Sequence, residues 1–341
     1  MRRQTHATKA LAEQVIVVMG ASSGIGRLTA LELAHQGATV VAAARRDEPL
    51  DSLVQEIRQA GWKAVAVTAD TTREDDVAKV VNAAEELGGV DTWIQVAGVS
   101  VYAPVAEMTA AELRQVVAVD LVGPGLAAMA AVPALKRNGR GHFICVSSVE
   151  AEVPIPLSGA YAAAKHGVRA LLASLRMELE HDGTPVAVTN VMPYSIDTPF
   201  FQHAATRLGV QPRPVPPAYD PRRVVEAIVS AIDSPRPEIV VGGAGRFAIA
   251  MHRLFPRLAE VVIGRVAFRA QRSRIAKPRG GANNLFGPVT DDRVRGTEAG
   301  AANARIQRAR RARALAGWMV AFLGVVGAGR LLRRGLMQRR A

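Results

Sequence analysis

Tyr161-Ala-Ala-Ala-Lys165 sets a phenol and an ammonium four residues apart, on one face of a helix. A cation beside a phenol stabilises the phenolate, which suits the pair to moving a proton at an oxygen. Thirteen residues upstream of the tyrosine, Ser148 closes the run Gly141-His-Phe-Ile-Cys-Val-Ser-Ser. A hydroxyl at the end of a parallel strand faces the ligand crevice, where it can hydrogen-bond an oxygen on which charge develops.

A second cluster opens the chain. Val15-Ile-Val-Val-Met-Gly-Ala-Ser-Ser-Gly-Ile-Gly-Arg reads as a strand, a glycine-rich turn and a helix, with Gly20, Gly24 and Gly26 spaced G-x-x-x-G-x-G. Glycines there permit the tight turn and bring the backbone against a pyrophosphate. The turn residues Ser22, Ser23 and Ile25 lie beside it, and the helix N-terminus offers free N–H groups and a positive dipole end. The segment is expected to bind a nucleotide. At the end of the second strand, where an NAD site wants a carboxylate for the ribose, stands Ala44-Arg45-Arg46. Guanidinium groups pair with a phosphate dianion, so the expected cofactor is NADP(H), held by Arg45 first and Arg46 second. Two solvated arginines opening a helix are the plainer reading. Asp70 ends the third strand and could accept from the adenine amino group or serve as a helix-start carboxylate.

These residues need a scaffold, and near-continuous Val/Ile/Ala runs supply it. Strands are expected at Val15–Met19, Thr39–Ala43, Ala64–Thr68, Thr92–Val96, His142–Val146, Val186–Val191 and Glu238–Val241. Helical stretches alternate with them, among them Gly26–Gln36, Leu50–Ala60 and Glu74–Glu86, the last capped by Thr71-Thr72 and stopped by Gly88-Gly89. The alternation predicts an α/β fold: a doubly wound, mostly parallel seven-stranded sheet of Rossmann type, followed by a helical extension. The proline-rich stretch Gln211-Pro-Arg-Pro-Val-Pro-Pro-Ala-Tyr-Asp-Pro cannot be regular structure and reads as a connector or as a loop over a ligand.

Taken together the motifs resemble the classical short-chain dehydrogenase/reductase family over residues 14–245. The resemblance implies a nicotinamide dinucleotide and hydride transfer between a carbonyl and an alcohol. It makes Tyr161 the general acid/base, Lys165 the group that lowers its pKa and holds the ribose, and Ser148 the donor to the substrate oxygen. Ala97 and Gly98 would approach the cofactor through their backbone, and Thr198 would hold the carboxamide. Several positions depart from the family pattern. Met19 stands for the usual Thr, Gln95-Val96 for Asn-Asn and Tyr194 for the Gly after Pro193. Asp120 replaces the fourth catalytic member, an Asn that helps to hold a water beside the lysine. An ionised Asp120 would offset part of the cation that acts on Tyr161. The expected protein is an oxidoreductase with an altered proton relay; the alternative is a cofactor-binding, membrane-tethered scaffold without turnover. Tyr102, Tyr194, Phe200 and Phe201 would line the substrate pocket or simply pack, and the family suggests a homo-oligomer.

The charge is uneven. Residues 1–245 carry 22 Lys and Arg against 26 Asp and Glu, whereas residues 246–341 carry 21 against 4. A basic tail on a faintly acidic body points to an anionic surface. Residues 1–13 read as an N-terminal tail and 14–245 as the catalytic domain. Residues 246–278 read as an amphipathic extension, kinked at Pro256, that could meet a membrane interface or pack on the domain. Residues 279–304 read as a flexible linker. Residues 305–341 form a basic segment around an apolar run, 314–329, which just reaches membrane length when flanking arginines snorkel. Membrane contact through 246–341 is therefore expected, with a cytoplasmic catalytic domain and a lipophilic carbonyl or alcohol as substrate. Nucleic acid fits less well, because aromatics suited to stacking are scarce. The seven His show no ligand spacing, so no metal is expected. The single cysteine, Cys145, excludes an internal disulfide and reads as inert core.

Overall fold

The computed structural model describes residues 9–296. The apolar runs pair as seven parallel strands: β1 (Val15–Met19), β2 (Thr39–Ala44), β3 (Ala64–Thr68), β4 (Thr92–Gln95), β6 (Gly141–Val146), β7 (Val186–Pro193) and β10 (Glu238–Val241), in the order β10-β7-β6-β4-β1-β2-β3. Two small pairings stand outside this sheet. One joins β5 (Val101–Tyr102) to β8 (Ala205–Thr206), and the other joins β9 (Val210–Pro212) to β11 (Arg272–Ala276).

Side chains alternate across the sheet and feed two cores. Ile16 and Val18 point to the layer of α1 (Gly24–His35), α2 (Asp47–Gln59) and α8 (Arg222–Asp233), with Leu33, Leu53 and Ile228. Val17 and Met19 point to the layer of α3 (Glu74–Glu85), α5 (Gly123–Arg137) and α6 (Gly159–His181), with Val77, Ala131 and Leu172. Both faces are covered, and so β1 is buried along its whole length. The expected doubly wound architecture is present. Cys145 lies in this core, and burial pushes its thiol up to about 11, far from thiolate chemistry at neutral pH.

Two local details differ from expectation. Arg73, not Thr71 or Thr72, occupies the position before α3, with no side-chain cap. Thr71 Oγ1 instead accepts from Gln95 Nε2 at 3.0 Å, and Thr72 turns to Asp70. Between α4 (Ala110–Val117) and α5 the helix widens into a π turn over Ala118–Val122, which carries Asp120 inward. Wide turns of this kind recur at functional sites.

Past β10 the chain forms α9 (Gly243–Leu254) and α10 (Pro256–Ala270), with Pro256 at the first position of the second helix, where its missing N–H is not needed. Strand β11 follows and pairs antiparallel with β9, so the proline-rich stretch opens with a short strand. Where composition suggests a flexible linker, the part described here, 279–296, is bound to the body. Leu285 is only 1% exposed, packed among Val99, Val101 and Val116, and its burial adds to the hydrogen bonds and ion pairs that hold the segment. The expected apolar membrane run, 314–329, lies outside the described residues. Among the described residues, one helical run, Ala110–Arg137, is long and apolar enough to cross a membrane, and 50% of its apolar window is buried inside the domain.

Candidate active site

The glycine turn leads from β1 into α1. Gly20 has φ +97°, and a Cβ on it would lie 2.5 Å from Ala97 N, so only glycine fits. The turn lines a cavity together with Ser22, Ser23, Ile25, Arg45, Arg46, Asp70, Ala97, Gly98 and Thr198. All the cofactor residues expected from the turn and from the ends of the next strands are therefore brought together. Asp70 also accepts from Thr72 N at 2.9 Å and Thr72 Oγ1 at 2.7 Å. Burial works against the Arg45 cation and Asp70 works for it.

The segment after β11 forms the opposite wall of this cavity, through Asn284, Pro288, Val289 and Asp291. It acts as a strap. Arg45 Nη2 donates to Asn284 O at 2.8 Å and Arg46 Nη1 to Thr290 Oγ1 at 2.6 Å. Gly24 N donates to Arg293 O at 2.9 Å, so the strap takes one of the first-turn N–H groups. Asp291 Oδ2 lies 2.8 Å from His203 Nε2, and Arg295 pairs with Asp220 at 2.7 Å.

Deeper in the crevice, Ser148 follows β6 and accepts from Glu150 N at 3.0 Å. The N–H fills one lone pair and leaves the serine proton free to be donated. Ser148 and Tyr161 line the same cavity, and the serine side chain is the one neighbour that favours the Tyr161 phenolate. Tyr161 and Lys165 stand one turn apart on α6, with Lys165 Nζ 5.2 Å from the phenol ring centroid. Lys165 pairs with Asp120 at 2.9 Å, and the other Asp120 oxygen accepts from Val99 N at 3.2 Å. Gly98 packs so closely that a Cβ there would meet Asp120 Oδ1 at 2.9 Å.

The electrostatics differ from the sequence expectation. Burial pushes the Tyr161 hydroxyl well above its usual range, the carboxylates of Asp120 and Glu150 push the same way, and only the Ser148 side chain opposes. Asp120 is itself raised by burial, against the pull of Lys165. The lysine cation is directed at Asp120, so the expected lowering of the phenol does not result.

A second cavity lies over Ser148, Tyr161 and Lys165. It shares Ile25, Val96, Gly98, Thr198 and Phe200 with the first, so the two are contiguous. Tyr102, Tyr194, Phe200 and Phe201 all line it, and the Phe200 ring stands 5.6 Å from that of Tyr161. Among the described residues no cluster of His, Cys, Asp and Glu could hold a metal ion.

The family profile described as short chain dehydrogenase matches residues 14–208. The chain is a short-chain dehydrogenase. This dehydrogenase is 35% identical over 275 residues to "Uncharacterized oxidoreductase YxnA" of Bacillus subtilis (strain 168), covering 80% of this chain and 77% of that protein. It is 38% identical over 193 residues to "Cis-4-hydroxycyclohexanecarboxylate dehydrogenase" of Sinomonas cyclohexanicum, covering 56% and 76%. Its fold matches the crystal structure of a short chain dehydrogenase/reductase from Burkholderia phymatum in complex with NAD, with a TM-score of 0.67 at 21% identity, covering 83% of this chain and 100% of that one. The dehydrogenase is thus an oxidoreductase.

Sequence reasoning missed three parts of the dehydrogenase site. Glu150 lines the second cavity, accepts from Ser158 Oγ at 2.6 Å, and is pushed by burial up to about 8. Arg213 and Gln271 line the same cavity from β9 and the end of α10. The strap and its partner His203 wall the first. The proline-rich run gave the only hint, as a possible loop over a ligand.

Proposed function

We propose that this dehydrogenase uses NADP(H) to interconvert a lipophilic carbonyl and its alcohol, with Tyr161 as the general acid/base. The single observation that carries the reading is the continuity of the glycine-turn cavity with the one lined by Ser148, Tyr161 and Lys165. The residues present suit a dinucleotide. Gly20 and Gly98 let the cavity-lining backbone pack where a Cβ would strike Ala97 N and Asp120 Oδ1, first-turn N–H groups of α1 can meet a pyrophosphate, and Arg45 and Arg46 favour a 2′-phosphate. Asp70, Ala97, Gly98 and Thr198 complete the cradle. When bound, the dinucleotide supplies or takes the hydride.

The chain's own groups handle the oxygen. Tyr161 holds its proton at neutral pH, because burial and the neighbouring Asp120 disfavour the phenolate. That proton is given to the substrate oxygen in the reducing direction, while the Ser148 hydroxyl donates to the same oxygen. Lys165 orients the ribose, and its charge is shared with Asp120. The arrangement favours reduction over oxidation near pH 7. The aromatic walls suit an apolar substrate body.

The reading includes membrane contact through residues 246–341, a cytoplasmic catalytic domain and a homo-oligomer. Helices α9 and α10 expose Phe247, Leu254, Phe255, Leu258, Val261, Val262, Val266 and Phe268, and arginines border this face, as in interfacial helices. Flotation of the full chain with anionic vesicles checks the membrane part; recovery in the soluble fraction at low salt sinks it.

The chemical part is tested with Tyr161→Phe. NADPH binding is expected to persist while turnover of a ketone panel drops by about 10²–10⁴-fold, the range for a lost acid/base group. Turnover within a few-fold of the parent would remove Tyr161 from the reaction.

A further inference from the structure

The second cavity has an imbalance of charge. Its walls mix apolar and polar side chains, and three ionisable residues other than tyrosines line it: Lys165, Glu150 and Arg213. Lys165 has its counter-ion in Asp120. Glu150 is engaged by Ser158 Oγ, and the cation that acts on it is Lys165. Arg213 has neither. Its Nε donates to Ala270 O at 2.9 Å, and no carboxylate pairs with it among the described residues. The two Nη groups carry four further N–H donors. A half-buried guanidinium without a paired carboxylate has donors to spare, and a planar fork of donors matches a carboxylate in two parallel bonds.

The residue is also held still. Pro212 and Pro214 flank it and restrict the backbone on both sides. Its backbone N donates to Gln271 O at 2.9 Å, and Pro212 pairs with Arg272 across the β9–β11 ribbon. Gln271 is fixed in turn, donating through Nε2 to Pro156 O at 2.8 Å. A cation fixed in this way before any ligand arrives loses little freedom on binding. It also sits on the ribbon formed with the extension, beyond residues 14–208 that match the family.

We propose that Arg213 is an anion subsite, and that the substrate is an oxo acid or hydroxy acid: an apolar body with a carboxylate at the end away from the reacting carbon. This rests on the proposed function, since it takes the Ser148–Tyr161 cavity as the substrate pocket. The carboxylate fills the guanidinium fork, the body lies against Tyr102, Val215 and Phe201, and the carbonyl reaches Ser148 and Tyr161.

The test pairs straight-chain oxo acids of increasing length with their methyl esters, using the full chain and a reduced dinucleotide. The acid of optimal length is expected to exceed its ester in kcat/KM by about tenfold or more, as suits a charge-assisted bidentate contact. In Arg213→Gln that ratio collapses toward one, and in Arg213→Lys it falls to an intermediate value. Esters equal to or better than their acids in the parent, or equal losses on both in Arg213→Gln, overturn the proposal. The second measurement needs no turnover. Octanoate binding is followed by calorimetry, with folding of each variant checked by its Tm. Saturable binding lost in Arg213→Gln sustains the subsite even if no ketone is reduced, which would count against the proposed reaction alone. Absence of octanoate binding to the parent, or binding indifferent to Arg213, overturns the subsite while leaving the reaction to stand on its own.

Discussion

Asp120 Oδ1 lies 2.9 Å from Lys165 Nζ, and the two side chains are 0% and 3% exposed. The pair spends the cation on a carboxylate instead of on the phenol one helical turn away. Asp120→Asn removes a charge that raises Tyr161 and frees the lysine cation to act on it. The Tyr161 pKa then falls. Alcohol oxidation, which needs the phenolate, is expected to rise at lower pH than in the parent, with a displacement of about one unit or more. Log kcat against pH for the oxidation direction checks this; superimposable profiles would sink the relay. Leaving Lys165 unpaired also lowers folding stability, by no more than the about 3–5 kcal/mol lost when a buried pair is broken.

The proposed preference for NADP(H) rests on Arg45. Its guanidinium lines the glycine-turn cavity, whereas Arg46 is a more open neighbour at the start of α2. Arg45→Ala is expected to weaken NADPH by about tenfold or more relative to NADH, as loss of a phosphate contact should. Arg46→Ala has a smaller effect of the same sign. Titration of both dinucleotides against each variant gives the ratio, and parallel weakening of the two cofactors refutes the arginine reading.

Glu150 couples stability to pH. Its folded-state value of about 8 lies above the ordinary 4.5, because burial disfavours the carboxylate. A folded state that holds a proton longer than the unfolded state is favoured at low pH. Its stabilising share is fully present below about 4.5 and is lost as pH rises to about 8. Across that window the expected slope is about −1.4 kcal/mol per pH unit from this group. Glu150→Gln, which cannot ionise, flattens the curve. Denaturant midpoints of the two proteins between these limits decide it; identical slopes assign the dependence elsewhere.

The contact between His203 and Asp291 ties the strap to α7 (Phe200–His203). Asp291 stays well below the usual carboxylate range. Burial opposes this, but hydrogen bonds from Arg293 and His203 prevail. Asp291→Ala removes this tie to His203 and the Arg293 pair within the strap. NADPH association and dissociation are both expected to quicken by about tenfold, the equivalent of one charge-assisted bond. Stopped-flow fluorescence reads the two rates, and unchanged rates mean that the strap does not control exchange.

Much of this was legible in the sequence because the signals were local. β1 is an unbroken apolar run, and a strand covered on both faces leaves that mark. The glycine turn and the Tyr161–Lys165 pair each lie within thirteen residues or fewer, so one element positions them. What stayed hidden depends on distant partners. Asp120 was recognisable as a departure, but its hold on Val99 N needed the π turn. Glu150 reads as one acid in a short turn until Ser158 is set against it. The 279–296 stretch has no periodicity. Its order comes from one buried leucine and from carbonyls that meet Arg45 and Gly24, contacts across more than two hundred residues of chain.

That long-range crossing bears on how the protein is handled. Shortening the basic C-terminus to ease purification is harmless to the nucleotide chamber only if the cut falls beyond Gly296. A cut ahead of Asn284 would leave the chamber with an open side, and weak coenzyme affinity measured on such a fragment would describe the damage and not the enzyme.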